Sequence, residues 1–181
     1  MKTVILGALA LAATATATAA VAASFPIPDM STLNPAALRA IPFDKIPWVS
    51  SSRTPGAETV NIVGDPLKPG LYVVMNRFNP GNFSQPHYHS MDRHIMVVSG
   101  TWWVSTTPVF DEASTVPMKT GTFVDHVARQ VHYDGNRSDS KEPTVVMIFG
   151  MGPVSRGTCT GAEAEKGPGP CADALARAKA K

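Results

Sequence analysis

Residues 86–104 read PHYHSMDRHIMVVSGTWWV. The stretch divides into a short HYH segment, a polar SMDR link, and two apolar runs, RHIMVVS and TWWVS, on either side of Gly100. Both runs are rich in β-branched and aromatic residues, and each is too short for an ordinary helix, so the pattern predicts two strands joined by a tight turn. Side chains alternate faces along a strand, which puts His87 and His89 on one side and Tyr88 on the other. The adjacent Trp102 and Trp103 must divide in the same way, one into the core and one out of it. Three of the five histidines stand between residues 87 and 94, in a chain of which only 17% is charged. Neutral imidazoles converging without partners are costly to bury, so the clustering predicts a metal site.

The same texture extends in both directions. From Glu58 to Gly152 short apolar runs (ETVNIVG, LYVVMNRF, GTFVDHV, QVHYDG, TVVMIFGMG) alternate with turn-forming pieces such as DPLKPG and NPGN. This is the punctuation of an all-β domain, and it predicts a single closed barrel or sandwich over residues 58–153. His94, after the SMDR link, and His132, in QVHYDG, are the candidates to complete the site that His87 and His89 begin.

With both segments in view, the chain resembles the cupin superfamily of small metal-binding β-barrels, and within it the single-domain bacterial cupin-2-like proteins. The family's first motif is a glycine, five residues, His-x-His, three or four residues, a glutamate, about six residues and a glycine. Here Gly81, NFSQP, His87, Tyr88, His89, SMDR, His94, IMVVS and Gly100 follow that order, with histidine in the glutamate's slot. The second motif matches at Gly121, His132 and Asn136, while its proline and glycine are replaced by Val127 and Arg129. The resemblance implies a jelly-roll-like barrel with one divalent transition metal, Fe, Zn, Ni, Cu or Mn, held by His87, His89, His94 and His132. An imidazole in place of the carboxylate favours Fe, Cu, Ni or Zn over Mn. His126 falls in a spacer that supplies no ligand in the family, and is expected at the surface or behind the ligands, with Asp125 and Asp134 in exposed turns or orienting an imidazole. Met96, Val98 and Met147 are expected to line an aliphatic pocket.

The function implied is that of a metal-dependent enzyme, dioxygenase-like or isomerase-like, acting on a small organic molecule. The alternative is a non-catalytic module for sensing, sequestration or structural metal, because four histidines saturate a tetrahedral Zn²⁺ and leave no open position.

The ends of the chain carry other signals. Residues 1–23, one lysine followed by an apolar run fading into small residues, have the form of a secretory signal peptide, which predicts a periplasmic or secreted protein without a stable membrane anchor. Residues 24–57 are proline-rich and predict an arm, with a short helix over NPAALRA opened by Asn34 and Pro35. Such an arm either folds onto the edge of its own barrel or reaches a second copy to form a homodimer. Residues 154–181 form a tail in which Cys159 and Cys171 predict a disulfide, followed by a short alanine-rich helix. With 16 basic and 14 acidic residues and no basic block, nothing marks nucleic acid as a partner.

Overall fold

A computed structural model of the chain describes residues 30–161 and 166–180, so the expected leader lies outside the described residues. Residues up to Ile41 belong to one unit and those from Pro42 onward to another. In the first, Asn34 opens a single turn: its side chain accepts from the Ala36 amide, and its carbonyl accepts from the amides of Ala37 and Leu38. The expected helix over NPAALRA stops at that turn, because a segment so short gains too few hydrogen bonds to offset nucleation.

The second unit is all-β, with one α-helix among its described residues. Its strands are β1 (Val49–Ser50), β2 (Glu58–Val63), β3 (Gly70–Phe78), β4 (His87–His89), β5 (Arg93–Ser99), β6 (Thr101–Ser105), β7 (Val116–Lys119), β8 (Phe123–His126), β9 (Tyr133–Gly135), β10 (Thr144–Gly152) and β11 (Arg156–Thr158), and the helix is α1 (Pro170–Lys179). Strands β1-β2-β3-β10-β5-β8 form a six-stranded sheet, β7-β6-β9 a second and β11-β4 a third. Every pairing is antiparallel. Bridges at Phe83 with Gly135 and at His87 with His132 join the smaller sheets to each other. Within the stretch expected as an arm, β1 pairs with β2 of the same chain at the sheet's edge.

The period-2 pattern decides which face each residue takes. Tyr72 and Val74 of β3, Ile95 and Val97 of β5, Trp102 of β6, and Val146 and Ile148 of β10 meet in one buried cluster inside the barrel. Ile95 and Val97 are 0% and 1% exposed, so their neighbours on β5 must face outward. Met96 is accordingly exposed, while Val98 and Met147 pack with Val60, Met75 and Val145 in a separate cluster that also takes in Ile46 and Trp48. The aliphatic pocket expected from Met96, Val98 and Met147 is therefore not formed. Gly100 makes the turn from β5 to β6 at φ +76°, where a Cβ would stand 2.8 Å from the Pro143 carbonyl. That turn sends Trp102 inward and leaves Trp103 on the outside, where Arg137 lies over its ring.

Cys159 and Cys171 are joined in a disulfide, as the sequence predicts. It ties α1 to the barrel, where Cys171 and Ala174 pack on Val131 with Tyr88 and Cys159 beside them. The tail thus covers the back of β4, whose front carries the histidines.

Candidate metal centre

On β4 the burial alternates as the sequence predicts: His87 and His89 are buried and Tyr88 is turned away. The bridge between His87 and His132 is made by two backbone hydrogen bonds of 2.9 Å, which set the third ring against the first two. The ligand atoms of the three lie within 4.8 Å of one another, and all three residues are buried.

Their tautomers follow from their neighbours. His87 Nδ1 is 2.8 Å from the Gln85 carbonyl and His132 Nδ1 is 3.1 Å from the Gln130 carbonyl. A carbonyl only accepts, so each Nδ1 carries the proton and each Nε2 presents a bare lone pair, the arrangement that orients metal-binding histidines. His132 Nε2 is buried without a partner. His87 Nε2 and His89 Nε2 stand 3.0 Å apart. With metal–nitrogen bonds of about 2.0–2.1 Å, two ligands at a right angle would be separated by about 2.8–3.0 Å. The donor set and the orphaned nitrogen therefore fit a transition-metal ion.

Burial keeps these rings neutral. It is the largest cause holding His87 well below the usual histidine range, reinforced by His132, Arg156 and His89. Burial, then Arg93, lowers His89. His132 is lowered to about 4, again chiefly by burial, with the Asp134 carboxylate opposing the shift. Neutral imidazole is the form that binds metal.

His94, expected as a fourth ligand, is not part of this cluster. It alternates with inward Ile95, so its ring lies on the outside of the sheet, where Nδ1 pairs with Asp125 across β5 and β8. The inward position before Ile95 belongs to Arg93, which is separated from His89 by three residues where His94 is separated by four, and both spacings fall within the motif's range. Arg93 Nη2 lies 3.3 Å from His126 Nδ1.

His126 is 7% exposed and its ring centroid is 3.8 Å from that of His132. Together with His132 and Asp134 it forms a second group of closely spaced ligand atoms. An arginine only donates, so His126 Nδ1 accepts, its proton resides on Nε2, and the neutral ring has no free lone pair for a metal. His126 instead backs His132, between it and Trp102. Asp134, expected in a turn, is buried, and Ser84 donates its hydroxyl to the carboxylate at 2.7 Å.

A cavity of about 260 Å³ opens on His87 and His89, and its walls include Tyr72, Arg93, Asp134 and Arg156. Of these four, only Asp134 stood out in the sequence, as a carboxylate near the histidines; Tyr72, Arg93 and Arg156 did not. Tyr72 and Arg93 are hidden in apolar runs, and Arg156 lies in the tail; only the phase of Ile95 and Val97 could have flagged Arg93 as inward.

The sequence matches no protein-family model and no curated protein. Similar solved structures do exist. A cupin-like protein from Thermotoga maritima superposes with a TM-score of 0.50 at 21% identity, covering 67% of this chain and 95% of that one. A polyketide cyclase from Streptomyces resistomycificus gives a TM-score of 0.54 at 13% identity, over 70% and 89%. A sugar phosphate isomerase from a cupin superfamily, from Silicibacter pomeroyi, gives 0.51 at 19% identity, over 66% and 81%. Antiparallel sheets closed around an apolar interior, with histidines on a short inner strand, and these superpositions agree on one architecture: the chain has the cupin-type β-barrel fold.

Proposed function

We propose that this protein is an exported, metal-dependent cupin-fold enzyme, of dioxygenase or isomerase type, that acts on a small organic molecule. The observation that carries the reading is the convergence of His87, His89 and His132, two of them with Nδ1 committed to backbone carbonyls, on one point at the wall of a cavity. Three protein ligands with open positions characterise catalytic rather than structural metal sites. With His94 outside the cluster, a saturated, purely structural four-histidine site lacks its fourth member.

A divalent transition metal bound there would supply Lewis acidity, or a site for O₂ beside the substrate. The chain's own groups would do the rest. Tyr72 Oη, whose pKa burial raises while Arg93 pulls it back, stays protonated and can donate to a substrate oxygen. Asp134, held by Ser84, offers a carboxylate to receive a proton. The apolar walls from Val74 and Ile148 limit water at the reacting centre.

Export is supported by the leader-like residues 1–23 and by the Cys159–Cys171 disulfide, a bond that persists in oxidising compartments. No helix among the described residues is long and apolar enough to cross a membrane. Elemental analysis of protein produced in the periplasm tests the reading. About one transition-metal ion per chain is expected in the wild type and little in His132→Ala; a wild type that takes up no metal after reconstitution refutes it.

A further inference from the structure

The cavity beside the histidines has an unusual charge content. Three arginines, Arg53, Arg93 and Arg156, line it, against two carboxylates, Asp65 and Asp134. Asp65 is already paired with Lys68 at 3.6 Å, and Asp134 accepts from the Ser84 hydroxyl. Among the described residues none of the three arginines forms an ion pair. Asp134 acts on Arg93 and Arg156 only as a neighbouring charge, offsetting part of the penalty that burial imposes on both.

Two of the arginines also keep an unsatisfied donor, although Arg93 Nη2 meets His126 and Arg156 Nη1 meets the Arg53 carbonyl. Arg93 Nε and Arg156 Nε are buried with no hydrogen-bond partner, and so is the Tyr72 hydroxyl, on a residue 1% exposed. Leaving buried donors unmade is costly, and a ligand arriving at the open Nε edge of a guanidinium recovers that cost. That edge, with the adjacent Nη, matches the two oxygens of a carboxylate or phosphate in a bidentate pair.

We propose that this cavity binds a small organic oxyanion, a carboxylate or a phosphate ester, gripped by Arg93 and Arg156 with a hydrogen bond from Tyr72 and with the rest of the molecule directed toward His87 and His89. The inference deepens the proposed function and rests on it in taking this cavity as the substrate's place. Arg93 is a binding residue on the inward side of β5, next to His94, where the sequence led one to expect a metal ligand. Arg53, exposed at the rim and linked to Arg156 Nη1 through its carbonyl at 3.5 Å, adds attraction at the entrance.

Calorimetric titration of the full chain, both metal-depleted and metal-loaded, with succinate, inorganic phosphate and neutral succinamide tests the proposal. At least one oxyanion binds ten-fold or more tightly than succinamide in the metal-depleted protein, and the preference between succinate and phosphate identifies which oxyanion the site takes. Arg156→Gln, on a short strand near the rim, weakens that binding ten-fold or more with an unchanged melting temperature, and Arg156→Lys recovers part of it. Oxyanions that bind no better than succinamide, or an Arg156→Gln variant within two-fold of wild type, overturn the proposal. The metal reading fails separately: a chain that takes up no metal but keeps its oxyanion preference refutes that reading alone, and a metal-loaded chain indifferent to oxyanions refutes this one alone.

Discussion

Acidification between pH 7.5 and 5.5 should destabilise the metal-depleted protein far more than its net charge of +2 would suggest. His87, His89, His126 and His132 are all held below the usual histidine value of 6.5 by burial. A folded-state pKa below the unfolded one means that the unfolded chain binds more protons, so this stability is present above about pH 6.5 and is lost as the pH falls. For His132, lowered from 6.5 to about 4, the loss between pH 7.5 and 5.5 amounts to roughly 1 kcal/mol. The other three shift in the same direction, and each adds at most about the same amount, which puts the total between about 1 and about 5 kcal/mol. Against a typical stability of about 5–15 kcal/mol, that is a large share. Urea unfolding at pH 7.5, 6.5 and 5.5, with constant m-value, reads it directly. A free energy of unfolding that changes by less than about 0.5 kcal/mol over this range would refute the claim that these rings are neutral and enclosed.

Other outcomes follow from the same packing. His94→Glu should leave metal content unchanged by elemental analysis while His132→Ala abolishes it, since His94 pairs with Asp125 outside the cluster. Added Zn²⁺ should raise the melting temperature more at pH 7.5 than at pH 5.5, because protons compete for the same Nε2 atoms; an equal rise at both would count against the histidine site. Reduction of Cys159–Cys171 should lower stability by roughly 3 kcal/mol in the loop-entropy model and free α1 from Val131, seen as lost helical circular dichroism. Gly135→Ala should cost more than about 2 kcal/mol or prevent folding, since its Cβ would stand 2.7 Å from Phe83 Cα and closer still to the Asn82 carbonyl; a melting temperature equal to wild type would contradict that contact.

Much of this was legible in the residues because strands have a strict period of 2. HYH predicts two histidines on one face, and the repeated short apolar runs predict an all-β barrel; both hold because alternation is a local property of the backbone. The pairing of Cys159 with Cys171 was likewise readable, as no other cysteines compete. His94 shows where that reasoning ends. Counting from His89 across a turn does not fix the phase of the next strand, and one residue of slip exchanges inward for outward. Ile95 and Val97 settle the phase, and they place Arg93 inside and His94 outside.

What the sequence determined by itself, then, is the class of fold, the inward pair on β4 and the cross-link of the tail, each dictated by neighbours along the chain. Only the tertiary structure decided which distant groups meet that pair. It brought His132 across a bridge, set His126 behind it, and gathered Arg93 from β5, Arg156 from β11 and Tyr72 from β3 around one cavity. The physical reason is that a barrel's interior is shared by strands whose registers are fixed by hydrogen bonds between them, and no local pattern encodes which side chains those bonds bring face to face.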